Sequence, residues 1–136
     1  MVVVAVLVGC SGSGDDAAGA SACRQSPRRA PDQAFEVETT GGEAWALPFG
    51  PVPAKVDTEW KLVWRITGKG ELQVAATDPE GGSHEPIDGP IAHESSNFDR
   101  PGDEWGTFFR FPTPGCWKVI ARRGTTEATL TLRVVG

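Results

Sequence analysis

The sequence predicts an all-β domain, a sandwich of about seven short antiparallel strands. Seventeen Gly and eleven Pro, set against one Met and no Tyr, favour turns and short strands over long helices. Apolar and polar side chains alternate along several segments, which is the period of a strand with one buried face. A chain of 136 residues is long enough for one domain and too short for two full ones.

The N-terminal residues predict an export signal that ends in a lipid attachment site. Residues 2–8 form an uninterrupted apolar run, far shorter than the roughly 20 residues of a membrane-spanning helix and typical of the core of a secretory signal. The following residues, Leu7-Val8-Gly9-Cys10, resemble the lipobox of bacterial lipoproteins, whose Cys is acylated and begins the mature chain. We therefore expect a signal peptide over 1–9 and a lipid at Cys10 that holds the protein on the outer side of the cell membrane.

Two further expectations concern this signal. The basic residue that normally opens a signal peptide is missing, since the first one is Arg24, so we expect the true start to lie upstream. The alternative, a buried N-terminal strand, is disfavoured because the residues that follow carry no apolar pattern with which it would pair.

The segment 10–34 predicts a flexible tether. From Ser11 to Ala34 it contains Ser, Gly, Ala, Asp, Pro and Arg but no large apolar residue. Such a composition buries too little surface to offset the entropy lost on ordering. We therefore expect the folded domain to occupy residues 35–136.

Alternation then marks the strands of the sandwich in order. Strands are expected at 35–38, 43–47, 60–67, 71–76, 107–111, 117–122 and 128–135. The Gly68-Lys69-Gly70 turn predicts that 60–76 forms a hairpin. Trp60, Trp64 and Trp117 lie on the apolar faces and are expected in the core. Short strands separated by turns at this spacing are typical of an immunoglobulin-like sandwich.

Three segments also resemble a group of small bacterial lipoproteins that carry an extracytoplasmic Ig-like domain of unknown function. They are Trp60-Lys61-Leu62-Val63-Trp64, Leu72-Gln73-Val74-Ala75-Ala76, and the Pro-x-Pro-Gly-x-Trp-Lys-Val turn at 112–119. The resemblance covers about residues 55–136 and implies a fold and a location, but no activity and no site residue.

The three cysteines leave one pair once Cys10 is assigned to the lipid. Cys23 and Cys116 then remain in an oxidising compartment, where disulfides form and persist. Cys116 lies on the strand face opposite Trp117 and points away from the core, so it is well placed to hold the tether. We expect a Cys23–Cys116 disulfide, and two free thiols are the alternative.

The acidic segment 78–104 is the main candidate for a functional loop. It carries eight carboxylates against a single Arg100, together with both histidines of the chain. A loop of this length is often functional or contains a short strand, here expected near Ile87 or Ile91. Asp99, Asp103 and Glu104 are candidate calcium ligands, but the EF-hand pattern is missing and a solvated loop is the favoured interpretation.

The charge and the missing motifs of the sequence exclude several classes of function. A net charge of −5 disfavours nucleic-acid binding, and the sequence has no catalytic or phosphate-binding motif, so we expect no enzyme and no cofactor. We expect a non-catalytic binding or envelope-associated module, with an envelope protein or peptide as its partner. Trp45 and Trp105 are flanked by Gly and acidic residues, so they are either exposed binding residues or packed at a sheet edge, and edge packing is favoured. The candidate binding surface comprises His84, His93, Asp99, Asp103 and Trp105. The alternative is a metal-dependent or hydrolytic enzyme that uses His84 and His93.

Overall fold

The computed structural model describes residues 23–94 and 96–136, and these residues form twelve strands. The strands are β1 (Arg28–Arg29), β2 (Ala34–Glu36), β3 (Glu38–Thr40), β4 (Ala44–Phe49), β5 (Ala54–Lys55), β6 (Trp60–Ile66), β7 (Gln73–Thr77), β8 (Ser83–His84), β9 (Asp88–His93), β10 (Asp103–Phe109), β11 (Gly115–Arg123) and β12 (Thr126–Val135). No helix capable of crossing a bilayer occurs in this part of the chain.

The strands form two facing sheets, which confirms the predicted all-β sandwich. The first sheet has the order β1-β2-β4-β6-β10-β9, and the second has the order β3-β12-β11-β7-β8. The short strand β5 adds to β12 in parallel, whereas the neighbours along each main order are antiparallel.

The core lies between the sheets and is built from alternate residues of the strands. On β6, Trp60, Leu62, Trp64 and Ile66 are fully buried. Trp117 on β11 is also fully buried, so the three tryptophans expected in the core are confirmed there. The ring of Phe111 packs between Trp60 and Trp117, with ring centroids 5.9 and 5.0 Å away. Aromatic side chains of this size bury the most apolar area per residue and dominate a small core.

The predicted hairpin over 60–76 is wrong, because its two strands belong to different sheets. β6 pairs with β4 and β10 in the first sheet, whereas β7 pairs with β11 and β8 in the second. The glycine turn at 68–70 therefore carries the chain across the sandwich. Gly68 has a φ of 116°, and a Cβ there would lie 2.4 Å from the carbonyl oxygen of Arg123, so this crossing requires a glycine.

Residues 23–34, which the composition assigns to a tether, lie on the sandwich. β1 pairs with β2, and the backbone and side chain of Ser26 both hydrogen-bond to Thr131 of β12. The disulfide expected between Cys23 and Cys116 is present, with a Cα–Cα distance of 5.4 Å. Backbone hydrogen bonds and the disulfide thus hold residues 23–34 on the sandwich, although this segment has few apolar side chains to bury. Residues 1–22, including Cys10 and the predicted signal peptide, lie outside the described residues.

The acidic segment contains two strands rather than one. Ile91 lies in β9, as expected for one of the two candidates, whereas Ile87 precedes that strand. β8 extends the second sheet and β9 forms the edge of the first. The segment therefore passes from one sheet to the other, and this separates the residues that were expected to form one surface.

Candidate binding face

The outer face of the first sheet presents three rows of side chains, each crossing β4, β6, β10 and β9. The pairing register defines the rows. They are Phe49–Lys61–Phe108–Asp88, Leu47–Val63–Gly106–Ile91 and Trp45–Arg65–Glu104–His93. Directly opposed side chains on one face of a sheet lie close enough to interact. We call the first the aromatic row, the second the apolar row and the third the charged row.

The charged row is centred on Glu104, which is only 5% exposed. One of its carboxylate oxygens lies 3.7 Å from Arg65 Nε and accepts a hydrogen bond from the hydroxyl of Ser96. The other oxygen lies 3.3 Å from His93 Nδ1. A buried carboxylate needs such partners, because an uncompensated charge is strongly unfavourable away from water. Glu104 is therefore held by groups from three different segments.

The charged row and part of the apolar row are covered by residues 96–102. Phe98 is buried against Val63 and Ala34. Arg65 donates to the carbonyl oxygens of Phe98 and Gly102, each at 2.8 Å. A Cβ at Gly102 would lie 2.2 Å from the backbone of Ile66, so only glycine permits this close approach. These contacts hold residues 96–102 against the outer face of β6.

Arg100 fastens this cover to the N-terminal segment. It donates two hydrogen bonds to the Asp32 carboxylate, at 3.0 and 2.8 Å, and its guanidinium lies 3.8 Å from the ring centroid of Trp45. The hydrogen bonds from Arg100 hold the pKa of Asp32 below its ordinary value, and the Asp32 carboxylate raises the pKa of Arg100. A bidentate pair stacked on an indole combines charge and packing at one point.

The other half of this face has no such cover. Phe49, Ile87 and Ile91 are 54%, 53% and 43% exposed, and within residues 23–94 and 96–136 they are the exposed large apolar side chains. Lys61 lies between two aromatic rings, with its Nζ 5.4 Å from the centroid of Phe49 and 5.5 Å from that of Phe108. We call this surface the Lys61 patch, and it comprises Phe49, Lys61, Ile91 and Phe108.

The sequence-predicted binding residues do not converge on one surface. His84 lies on β8 in the second sheet, where it packs on Trp117 and its Nε2 is 2.7 Å from Asp78 Oδ2. This contact, together with the backbone N–H groups of Gly82 and Glu80, lowers the pKa of Asp78. His93 lies on β9 in the first sheet, beside Glu104. Each histidine is thus occupied by its own carboxylate.

The candidate calcium residues are also separated. Asp103 pairs with Arg123, with 2.6 Å between Oδ2 and Nη2, and Glu104 faces the opposite side of the same strand. Asp99 is exposed in the covering segment. In the described part of the chain, no three His, Cys, Asp or Glu side chains come together as a possible metal site.

Trp45 and Trp105 are half-buried, in agreement with the favoured edge packing. Trp45 packs beside Val63 and Phe98 under Arg100. Trp105 packs against the main core, with the Arg123 guanidinium 5.5 Å from its ring. The covering arginines come from distant parts of the chain, so the residues that flank each tryptophan do not reveal its cover.

A groove of about 480 Å³ lies along β7 in the second sheet, between Pro86 and Pro90 on one side and Ile120 and Arg122 on the other. Neither histidine lines it. The Lys61 patch was not identified by sequence reasoning, although one signal pointed to it. The alternation that buries Trp60 and Leu62 requires Lys61 and Val63 to face outward, and the same rule applied to β4 and β10 places Phe49 and Phe108 beside Lys61.

In comparisons with known proteins, no family model matches this chain and no curated protein is significantly similar to it.

Proposed function

We propose that this chain is a lipid-anchored extracytoplasmic protein whose Ig-like sandwich is a non-catalytic binding module of the cell envelope. The observation that carries the proposal is the Cys23–Cys116 disulfide, which joins residues 93 apart in sequence. Disulfides of this kind persist in oxidising compartments and are rare in the cytosol. The bridge therefore supports export, and export is what the apolar run and the lipobox-like residues before it predict.

The arrangement of the sheets supports the Ig-like part of the proposal. Two antiparallel sheets enclose a core of alternate strand residues, and a central strand of each sheet contributes buried tryptophan, namely Trp60 and Trp64 on β6 and Trp117 on β11. In Ig-like domains the buried tryptophan also packs between the sheets. The resemblance of residues 55–136 to small lipoproteins with such a domain points the same way.

The positions of the two histidines favour binding over catalysis. His84 and His93 lie in different sheets, each beside a different carboxylate, Asp78 or Glu104. A catalytic site needs such groups to converge on one reacting atom. An exposed apolar patch on a sheet face is instead a usual mark of a protein–protein contact. We therefore assign the function to recognition.

Acylation of Cys10 tests the proposal directly. Cells that express the chain from its natural locus, including the upstream codons, are grown with an alkyne-labelled fatty acid. We expect label on the wild type and on the Cys116→Ser variant, and no label on Cys10→Ser. The Cys116→Ser variant is the matched control, because it removes one sulfur without touching the lipobox-like residues. An unlabelled wild-type protein in the cytosolic fraction contradicts the lipid anchor.

A further inference from the structure

Two of the three exposed large apolar side chains of the described residues lie on one half of one sheet face. Phe49 ends β4 and Ile91 lies in β9, and the half-buried Phe108 lies on β10 between these strands. The other half of the same face is covered by Phe98 and the segment 96–102. Contiguous exposed apolar groups next to a covered region mark a surface that a partner completes.

Lys61 adds a positive charge to this apolar surface. Its ammonium group lies between the rings of Phe49 and Phe108, and among the described residues no carboxylate lies within 4.0 Å of it. The rings hold the cation in place by cation–π attraction while leaving its charge unpaired. An incoming carboxylate would therefore find a positioned cation with apolar groups on both sides.

We propose that the Lys61 patch binds an extended peptide segment of another protein, in which a carboxylate is flanked by apolar side chains. The carboxylate pairs with Lys61, and the flanking side chains lie on Phe49 and Phe108. This assignment deepens the binding function proposed above and rests on it. A patch of four side chains is smaller than a standard protein interface, so the affinity is expected to be weak, with a Kd on the order of 0.1–1 mM.

A second copy of this chain fits the patch less well. Two-fold symmetry would place the same patch on both sides of the contact and bring one Lys61 toward the other. Each copy also carries a net charge of −5, which adds repulsion between them. A heterologous partner with a local carboxylate avoids the approach of one Lys61 to another and pairs with the Lys61 charge instead.

The geometry favours docking on the face rather than extension of the sheet edge. β9 forms the edge nearest the patch, and it contains Pro90, which has no N–H to donate to an added strand. The rows of the patch lie across a sheet face instead of in a deep cleft, and small-molecule sites are usually clefts. Side chains of an extended peptide can follow such rows, because alternate residues point to the same side.

The test is a titration of the full chain carrying Cys10→Ser, followed by two-dimensional amide NMR. The probe is the peptide acetyl-Gly-Leu-Glu-Leu-Glu-Leu-Gly-amide, and the same peptide with Lys in place of Glu is the charge control. We expect saturable shifts at Phe49, Lys61 and Phe108 with the acidic peptide and none with the basic one. Lys61→Glu should weaken binding of the acidic peptide about tenfold or more. Lys118→Glu, an equal charge change on the exposed outer face of β11, should leave it unchanged.

Several outcomes overturn the proposal. If Lys61→Glu and Lys118→Glu weaken binding equally, the charge of the protein alone attracts the peptide. Chemical-shift changes centred away from the Lys61 patch show that the peptide does not bind there. Patch shifts that grow with protein concentration without peptide assign the surface to a second copy. If phosphatidylglycerol vesicles broaden the amide signals of the patch residues and the peptide causes no shift, the patch binds a membrane surface instead. Phe49→Ala is a second variant with little risk to the fold, since Phe49 is 54% exposed. None of these readouts uses the lipid, so a failure of Cys10 acylation and a failure of peptide binding are distinguishable.

Discussion

The indole of Trp64 donates a hydrogen bond to the hydroxyl of Thr107 across two neighbouring strands, with 3.2 Å between Nε1 and Oγ1. Thr107 donates in turn to the carbonyl oxygen of Leu62, at 3.0 Å. Both side chains are fully buried. These two hydrogen bonds join β6 and β10 inside the apolar core and let Trp64 be buried without leaving its N–H unpaired.

Thr107→Val should lower the free energy of unfolding by about 1–3 kcal/mol, because it keeps the shape of the side chain and removes the acceptor of the Trp64 indole. Urea unfolding followed by tryptophan fluorescence measures the change. Thr107→Ser is the control, since it keeps the hydroxyl and loses a methyl group worth about 0.8 kcal/mol. A Thr107→Val variant as stable as the wild type would show that the hydrogen bond contributes nothing net.

Reduction of the Cys23–Cys116 bond should lower the free energy of unfolding by about 2–5 kcal/mol, because a cross-link over a long loop restricts the unfolded chain. Urea unfolding of the oxidised and reduced protein measures the loss. The double variant Cys23→Ser/Cys116→Ser should unfold at the same urea concentration as the reduced protein. Two alkylatable thiols at these positions in the protein as isolated, without reductant, contradict the bridge.

The Asp32–Arg100 pair predicts a specific response to acid. Hydrogen bonding from Arg100 lowers the folded-state pKa of Asp32 below the unfolded value of about 3.9. The pair therefore stabilises the fold fully above that value, and the contribution is lost as the pH falls through the lower folded pKa. Asp32→Asn should lower the free energy of unfolding by about 1.5 kcal/mol at pH 7 and by progressively less below pH 4.

Thermal or urea unfolding between pH 7 and pH 2 measures that difference. Glu59→Gln serves as the control, because it neutralises one exposed carboxylate that has no ion pair among the described residues. A gap between wild type and Asp32→Asn that stays constant across this pH range speaks against the ion pair.

Glu104→Ala should lower the free energy of unfolding by about 3 kcal/mol, because it leaves the partly buried charge of Arg65 without its carboxylate. Hydrogen exchange should also become faster at the Phe98 amide, which donates a hydrogen bond to Ser96 Oγ, because Ser96 in turn donates to Glu104. Glu104→Gln retains an oxygen for Ser96 and should lose less stability. Unchanged exchange at Phe98 in Glu104→Ala would mean that Glu104 and Ser96 do not help to hold the cover in place.

The sandwich and its core could be predicted because they depend on local alternation. The buried faces of Trp60, Trp64 and Trp117 follow directly from the period of a strand. The glycine turn at 68–70 was misread because a turn signal tells that the chain reverses, not in which sheet the next strand pairs. Sheet membership is decided by β11 and β10, which come much later in the sequence.

The candidate site was harder to predict, for a related reason. The pair Asp32–Arg100 and the contact of Arg123 with Trp105 join residues far apart in sequence, so composition near Trp45 and Trp105 carried no information about their cover. The Lys61 patch depends on the register of β4, β6 and β10. Alternation gives the face on which each side chain lies, but only the register shows which residues are neighbours.

The attachment of Cys23 to β11 determines how the domain responds to mechanical load. A pull on the residues before Cys23 passes through the sulfur–sulfur bond into β11, which has β12 on one side and β7 on the other. Tension therefore bypasses the two-residue strand β1, which would otherwise unzip one hydrogen bond at a time from the edge of the first sheet. With the bridge intact, the load therefore enters an interior strand of the second sheet, which is paired on both sides, instead of the outer edge of the first sheet.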